Sequence, residues 1–140
     1  MLGIADADTA ESVSGSRNCV VTPLYCGLPR GPNDPPALHD LQPIRLLPGS
    51  RLRSIYGMEI IEAGHFCNYG VNPEYMSRFE ATGMRIAGVG DGGQVRAVEL
   101  PKHKFYVTTL FHPQLESQPG QPSPFVVAFV NAARGCGASA

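Results

Sequence analysis

A chain of 140 residues is long enough for one domain with a real core and too short for two of ordinary size. Hydrophobic residues make up 43% and charged residues 16%, the net charge is −1, and clusters of Lys and Arg never exceed two, which excludes a disordered chain and an electrostatic nucleic-acid surface. No apolar run reaches the length of a membrane span, and the acidic start MLGIADADTAES lacks the basic and apolar segments of a secretory signal, so a cytoplasmic protein with no membrane or nucleic-acid partner is expected.

Sixteen glycines and thirteen prolines announce many turns. In chain order, Val20–Tyr25 predicts a strand, and the proline-rich stretch Leu28–Pro43 predicts a surface loop, because proline removes a donor and fixes φ. Strands are expected at Pro43–Leu47 and, more weakly alternating, at Met58–Ala63. Asn72-Pro73-Glu74 starts a helix with Tyr75, Met76 and Phe79 on one side, and Gly83 stops it. Asp91-Gly92-Gly93 joins Met84–Val89 to Gln94–Leu100 as an antiparallel hairpin. A buried strand over Lys104–Phe111 follows. Ser123 as cap and Pro124 at the first position then open a helix whose apolar face is Phe125, Val126, Phe129, Val130 and Ala133. That order of elements predicts an α/β domain with some antiparallel pairing.

The four cysteines (Cys19, Cys26, Cys67, Cys136) have no C-x-x-C spacing, so no structural metal is expected, and no cofactor either; free thiols are the expected state. His112 sits where a strand should end and is followed at once by Pro113, which fits either a base at a strand terminus or a turn residue. His39 and His103 fall in loop or turn settings and read as solvated, and Glu116 reads as an exposed loop acid, with a carboxylate serving His112 as the other reading.

From Tyr56 onward the runs YGMEIIEAGHFCNYGVNPEY and GMRIAGVGDGGQVRAVELPKHKFYVTTLFHPQLESQPGQPSPFVVAFVNAA resemble the C-terminal half of the glutaminase domain of CTP synthase, a class I, triad-type glutamine amidotransferase. GIADADTAE and LLPGSRLRSIYG fit the same alignment, and HFCNYGVNPEY is closer to stand-alone relatives of that domain than to full synthases. The resemblance implies a flavodoxin-like α/β sheet with an antiparallel hairpin and its N-terminal strands missing, over residues 1–133, with 134–140 a flexible tail. It implies a role in pyrimidine biosynthesis, in which glutamine is hydrolysed to supply ammonia for CTP synthesis.

In that family a cysteine on a strand-to-helix turn attacks the glutamine carboxamide, a histidine at the end of a later strand acts as base, and a glutamate two residues on orients it. His112 matches the histidine, and ligand chemistry in open α/β sheets gathers beyond strand C-termini. The glutamate position is Gln114. None of the four cysteines stands in a Gly-x-Cys-x-Gly elbow, so the chain is expected to be a pseudoenzyme, inactive alone as a glutaminase. The arginine-rich segment that helps bind glutamine is here Gly64-His65-Phe66-Cys67-Asn68, without a guanidinium. His65 and Asn68 thereby become candidate substrate-binding residues. Cys67 is either a packing residue or a thiol relocated towards His112. The expected partners are glutamine or a related small molecule, and a second copy or a second polypeptide that completes the domain. A non-catalytic binding or interaction module of the same fold is the alternative.

Overall fold

A computed structural model describes residues 3–12, 17–24, 40–65 and 69–135, with the side chains of Asp40 and His65 outside that description. The strands are β1 (Asp8–Thr9), β2 (Cys19–Pro23), β3 (Asp40–Leu46), β4 (Ile60–His65), β5 (Tyr69–Val71), β6 (Arg85–Gly90), β7 (Val95–Glu99) and β8 (Val107–Thr109). The α-helices are α1 (Arg51–Tyr56), α2 (Met76–Ala81) and α3 (Pro124–Ala133); single 3₁₀ turns occupy Pro73–Tyr75 and Pro113–Glu116.

Five strands form the larger sheet in the order β4-β3-β6-β7-β8, every pair antiparallel. A smaller sheet, β1-β2-β5, carries one parallel and one antiparallel pair. Antiparallel pairing thus extends well beyond the expected hairpin. One face of the larger sheet (Ile44, Leu46, Ile61, Ala63, Ala87, Ala97) packs with Leu52 of α1 and with Phe111, and half-buried Tyr56 and Phe125 lean against it. Ile86, Val89, Val95 and Val98 form a second cluster with Val71, Met76 and Phe79. Leu46 and Leu52 are wholly enclosed, each worth about 1.5–3 kcal/mol of apolar burial.

The hairpin and the helix start at Asn72 form as the residue pattern predicts. The Asn72 side chain accepts from Glu74 N, and Gly83 takes φ +80° past the end of α2, where a side chain would be strained. Other expectations need correction. Asp40–Pro43 are strand rather than loop, and β3 is flanked by two strands. Pro43 is tolerated because it faces Glu62 of β4 while pairing with β6 begins only at Ile44, leaving one side of β3 open at the proline. Most of the expected loop, with His39, lies outside the described residues.

The strand expected over Lys104–Phe111 shrinks to Val107–Thr109, half exposed. Before it, His103 N donates to Leu100 O, the His103 Nδ1 accepts from Phe105 N, and the Arg51 guanidinium donates to the carbonyls of His103 and Lys104. These bonds hold a turn where extension was expected. Ser123 precedes α3 but does not cap it; its hydroxyl is used elsewhere. The apolar face of α3 is only partly covered. Phe105 meets Phe125 and Phe129 edge-on, with ring centroids 5.7 and 5.6 Å apart, yet Phe129 stays 53% exposed.

Helix α1 is the element the residue pattern did not suggest. Ser50 caps it by accepting from Arg53 N, and Gly57 closes it at φ +67°. Its first turn contains no acid, and the missing carboxylate comes from β7. Glu99, 1% exposed, accepts from Arg51 N at 2.9 Å through Oε2 and from Arg85 Nε and Nη2 at 3.0 and 2.6 Å through Oε1. A carboxylate at a helix N-terminus meets both the unpaired N–H groups and the positive end of the dipole. Glu99 therefore docks α1 on the sheet.

Candidate active site

After β8 the chain is fixed at three successive points. Leu110 N donates to Arg96 O at 2.8 Å, the Phe111 ring enters the core, and His112 N donates to Gly64 O at 2.9 Å. Pro113 is buried and opens the 3₁₀ turn, which Leu115 N closes by donating to His112 O at 3.1 Å. His112 stands at the junction with extended-to-bridging angles, φ −107° and ψ 87°. The turn folds the chain back so that residues 112 and 114 share one side: Gln114 Nε2 lies 3.2 Å from His112 Nδ1.

That contact has chemical consequences. With the amide nitrogen against Nδ1, Nδ1 accepts and the ring proton sits on Nε2, which cannot then take a proton. Turned by half a rotation, the amide presents Oε1 and accepts from Nδ1–H, the tautomer in which Nε2 is unprotonated. A carboxylate in this place would permit only the second arrangement. Gln114 holds the ring and does not select its tautomer.

Glu116, one step further along the turn, is not an exposed loop acid. It is half-buried, accepts from the Tyr56 hydroxyl of α1 at 3.0 and 2.9 Å through its two oxygens, and accepts from Ser123 Oγ at 3.2 Å. Burial raises its pKa above the ordinary carboxylate value, while the Tyr56 and Ser123 hydrogen bonds pull it back. Burial, and then the nearby Glu116 charge, push the Tyr56 hydroxyl well above the tyrosine range. Ser123 N also donates to Ser117 Oγ at 3.0 Å. The trio clamps the His112 turn between α1 and α3, so Glu116 is engaged by Tyr56 and Ser123 rather than standing in as the acid that the resemblance expects beside His112.

His65 ends β4, directly after the Gly64 whose carbonyl holds His112; its side chain, Cys67 and Asn68 lie outside the described residues. Among the described residues no group of three or more His, Cys, Asp or Glu side chains is arranged to hold a metal ion. The residue pattern did not point to Tyr56 and Ser123, which meet Glu116 from 60 and 7 residues away. It also passed over Arg96, buried at 3% exposure and donating from Nη2 to Gln42 Oε1 at 3.1 Å. Its signal is a guanidinium inside the otherwise apolar start of β7, in a strand flanked on both sides.

A histidine three residues past β8, contacted by the side chain two residues further on, fits the triad-type glutamine amidotransferase class that the sequence resembles. No protein-family model matches the chain. Curated relatives and solved structures do. The chain is 42% identical over 97 residues to CTP synthase of Methanopyrus kandleri and 42% identical over 94 residues to that of Microcystis aeruginosa, matches covering 69% and 66% of this chain but 18% and 17% of those enzymes. The Trypanosoma brucei CTP synthase glutaminase domain with bound acivicin superposes with a TM-score of 0.83 at 27% identity, covering 96% of this chain and 53% of that one. The protein is a glutamine amidotransferase-like domain related to CTP synthase. It spans under a fifth of the curated synthases and about half of the solved glutaminase chain. Among the described residues, no helix is long and apolar enough to cross a membrane.

Proposed function

We propose that this chain carries the histidine side of a glutamine-binding site of the CTP-synthase type, with His112 as the base position and Gln114 as its orienting partner. The 3.2 Å contact between Gln114 Nε2 and His112 Nδ1, in the turn just beyond β8, carries the proposal. The pathway is pyrimidine biosynthesis, in which glutamine supplies ammonia for CTP synthesis, and the compartment is the cytoplasm. No cysteine among the 140 residues stands in a Gly-x-Cys-x-Gly elbow, and the orienting residue is a neutral amide. The chain alone is therefore a pseudoenzyme that binds glutamine or a close relative without hydrolysing it. The expected result of a glutaminase assay on the isolated chain is no ammonia release above background. Robust turnover abolished by His112→Ala would refute the incompleteness.

His65 and Asn68 fall on the segment that stands where the family carries its arginine-rich glutamine-binding stretch, and they are assigned to substrate contact on that ground. The hydrogen bond from His112 N to Gly64 O favours a second reading, in which Cys67 and His112 form a thiol–imidazole pair. Leu41 and Ile60, 58% and 56% exposed on the outward rows of β3 and β4, and the edge of β4 itself form a surface for a second copy or a completing polypeptide. A stable monomer in sedimentation at low micromolar concentration would argue against that association.

A further inference from the structure

Arg96 has no place in the chemistry so far, and its setting is unusual. It is 3% exposed, one donor goes to Gln42 Oε1, and the buried Nε and Nη1 have no hydrogen-bond partner among the described residues. Val95 faces Val89 while Ala97 faces Gly88, so Arg96 is the extra residue of a β-bulge. Bulges re-aim side chains, and this one brings the guanidinium to the row of Gln42 rather than to the opposite face of β7. Gly90 makes the space. A Cβ there would lie 3.2 Å from Arg96 Nε and 2.9 Å from Gln94 Oε1.

The place is the His112 end of the sheet. Gln42 pairs with Ala63, and the next residue, Gly64, accepts from His112 N; the Arg96 carbonyl itself accepts from Leu110 N. The guanidinium therefore bonds a residue whose β4 partner directly precedes the Gly64 that holds the His112 backbone. A buried cation with unused donors is disfavoured unless an anion completes it. Described acids do not: Glu62 is exposed on the outward row of β4 and Asp91 is exposed in the β6–β7 turn. A planar guanidinium with donors left on its edges matches a planar carboxylate.

We propose that Arg96 is the anchor for a ligand carboxylate at the His112 end of the sheet. The ligand class is a small amino acid or related carboxylate; naming L-glutamine rests on the function proposed above. Arg96 would supply from β7 the guanidinium that the Gly64–Asn68 segment lacks.

Calorimetric titration of the full chain with L-glutamine, its methyl ester and malonate tests this, alongside Arg96→Met. Wild type should bind L-glutamine, bind the ester at least tenfold more weakly, and lose at least tenfold in affinity for L-glutamine on Arg96→Met. Because the substitution removes an uncompensated buried charge, ligand-free Arg96→Met should melt no lower than wild type. Undiminished L-glutamine binding by the variant would overturn the anchor, and so would a variant that melts lower or fails to fold, since its counter-charge would then lie within the chain. Failure of wild type to bind any of the three would also overturn it. Arg96-dependent binding of malonate without L-glutamine would leave the anchor standing and refute the glutamine assignment.

Discussion

Replacing Gln114 with glutamate tests whether charge at this position, rather than geometry alone, sets the state of the His112 ring. The 3.2 Å approach of the side chain to His112 Nδ1 needs no backbone change to accommodate the isosteric acid. A carboxylate is acceptor-only, so it bonds the Nδ1–H form of the neutral ring and repels the form with its lone pair on Nδ1. Hydrogen bonds to charged groups are worth about 1.5–3 kcal/mol net. Gln114 is exposed and solvent screens the new charge, so the lower end applies. About 1.5 kcal/mol is a little over tenfold in the tautomer ratio. Nitrogen-15 spectra of imidazole-labelled protein above neutral pH read that ratio directly, from the shifts of Nδ1 and Nε2. Gln114→Glu should move the His112 signals towards the Nδ1–H pattern while His103 stays as it was. Unchanged His112 signals in a folded variant would show that the 114 side chain does not govern the ring.

Two further outcomes follow from the same turn. Glu116 has its folded pKa raised by burial, so the folded state holds more protons than the unfolded state from about the ordinary value of 4.5 upward. Its contribution is fully present below that value and is lost as pH rises through the folded pKa. Glu116→Gln should therefore flatten the fall in stability over that interval, measured by denaturant unfolding at a series of pH values; a wild-type advantage that grew with pH would contradict the sign. For the thiol pair, His112→Ala should slow alkylation of Cys67 and leave Cys19 and Cys26 unchanged. Uniformly slow labelling that ignored His112 would identify Cys67 as packing.

What could be read from the residues follows the range of the interactions that decide each element. The hairpin at Asp91-Gly92-Gly93, the stop at Gly83 and the start of α3 at Pro124 depend on near neighbours, and they form as expected. Helix α1 escaped because the acid at its N-terminus is Glu99, 48 residues away, leaving a first turn that looks unfavourable by itself. Pro43 misled in the other direction, since its tolerance depends on where β6 ends and not on its neighbours. The same division runs through the site. His112 and Gln114 are two residues apart and were legible together. The partners of Glu116 and the bulge that turns Arg96 inward are products of tertiary pairing.

The His112 turn shows why the fold can persist while the chemistry changes. Its position is held by Gly64 O, by buried Pro113, and by Glu116 gripped from α1 and from Ser123 at the head of α3. None of these supports passes through residue 114. A glutamate can therefore become a glutamine there without moving the histidine, at little cost to stability because the side chain is exposed. The reverse holds for position 116, where the carboxylate is structural and the ring of His112 is not its partner. Placement of the histidine is thus weak support for hydrolysis, and the charge around it is the better discriminator. Here position 114 is a neutral amide and position 96 a buried cation, and the site proposed above is expected to hold a carboxylate rather than to activate a nucleophile.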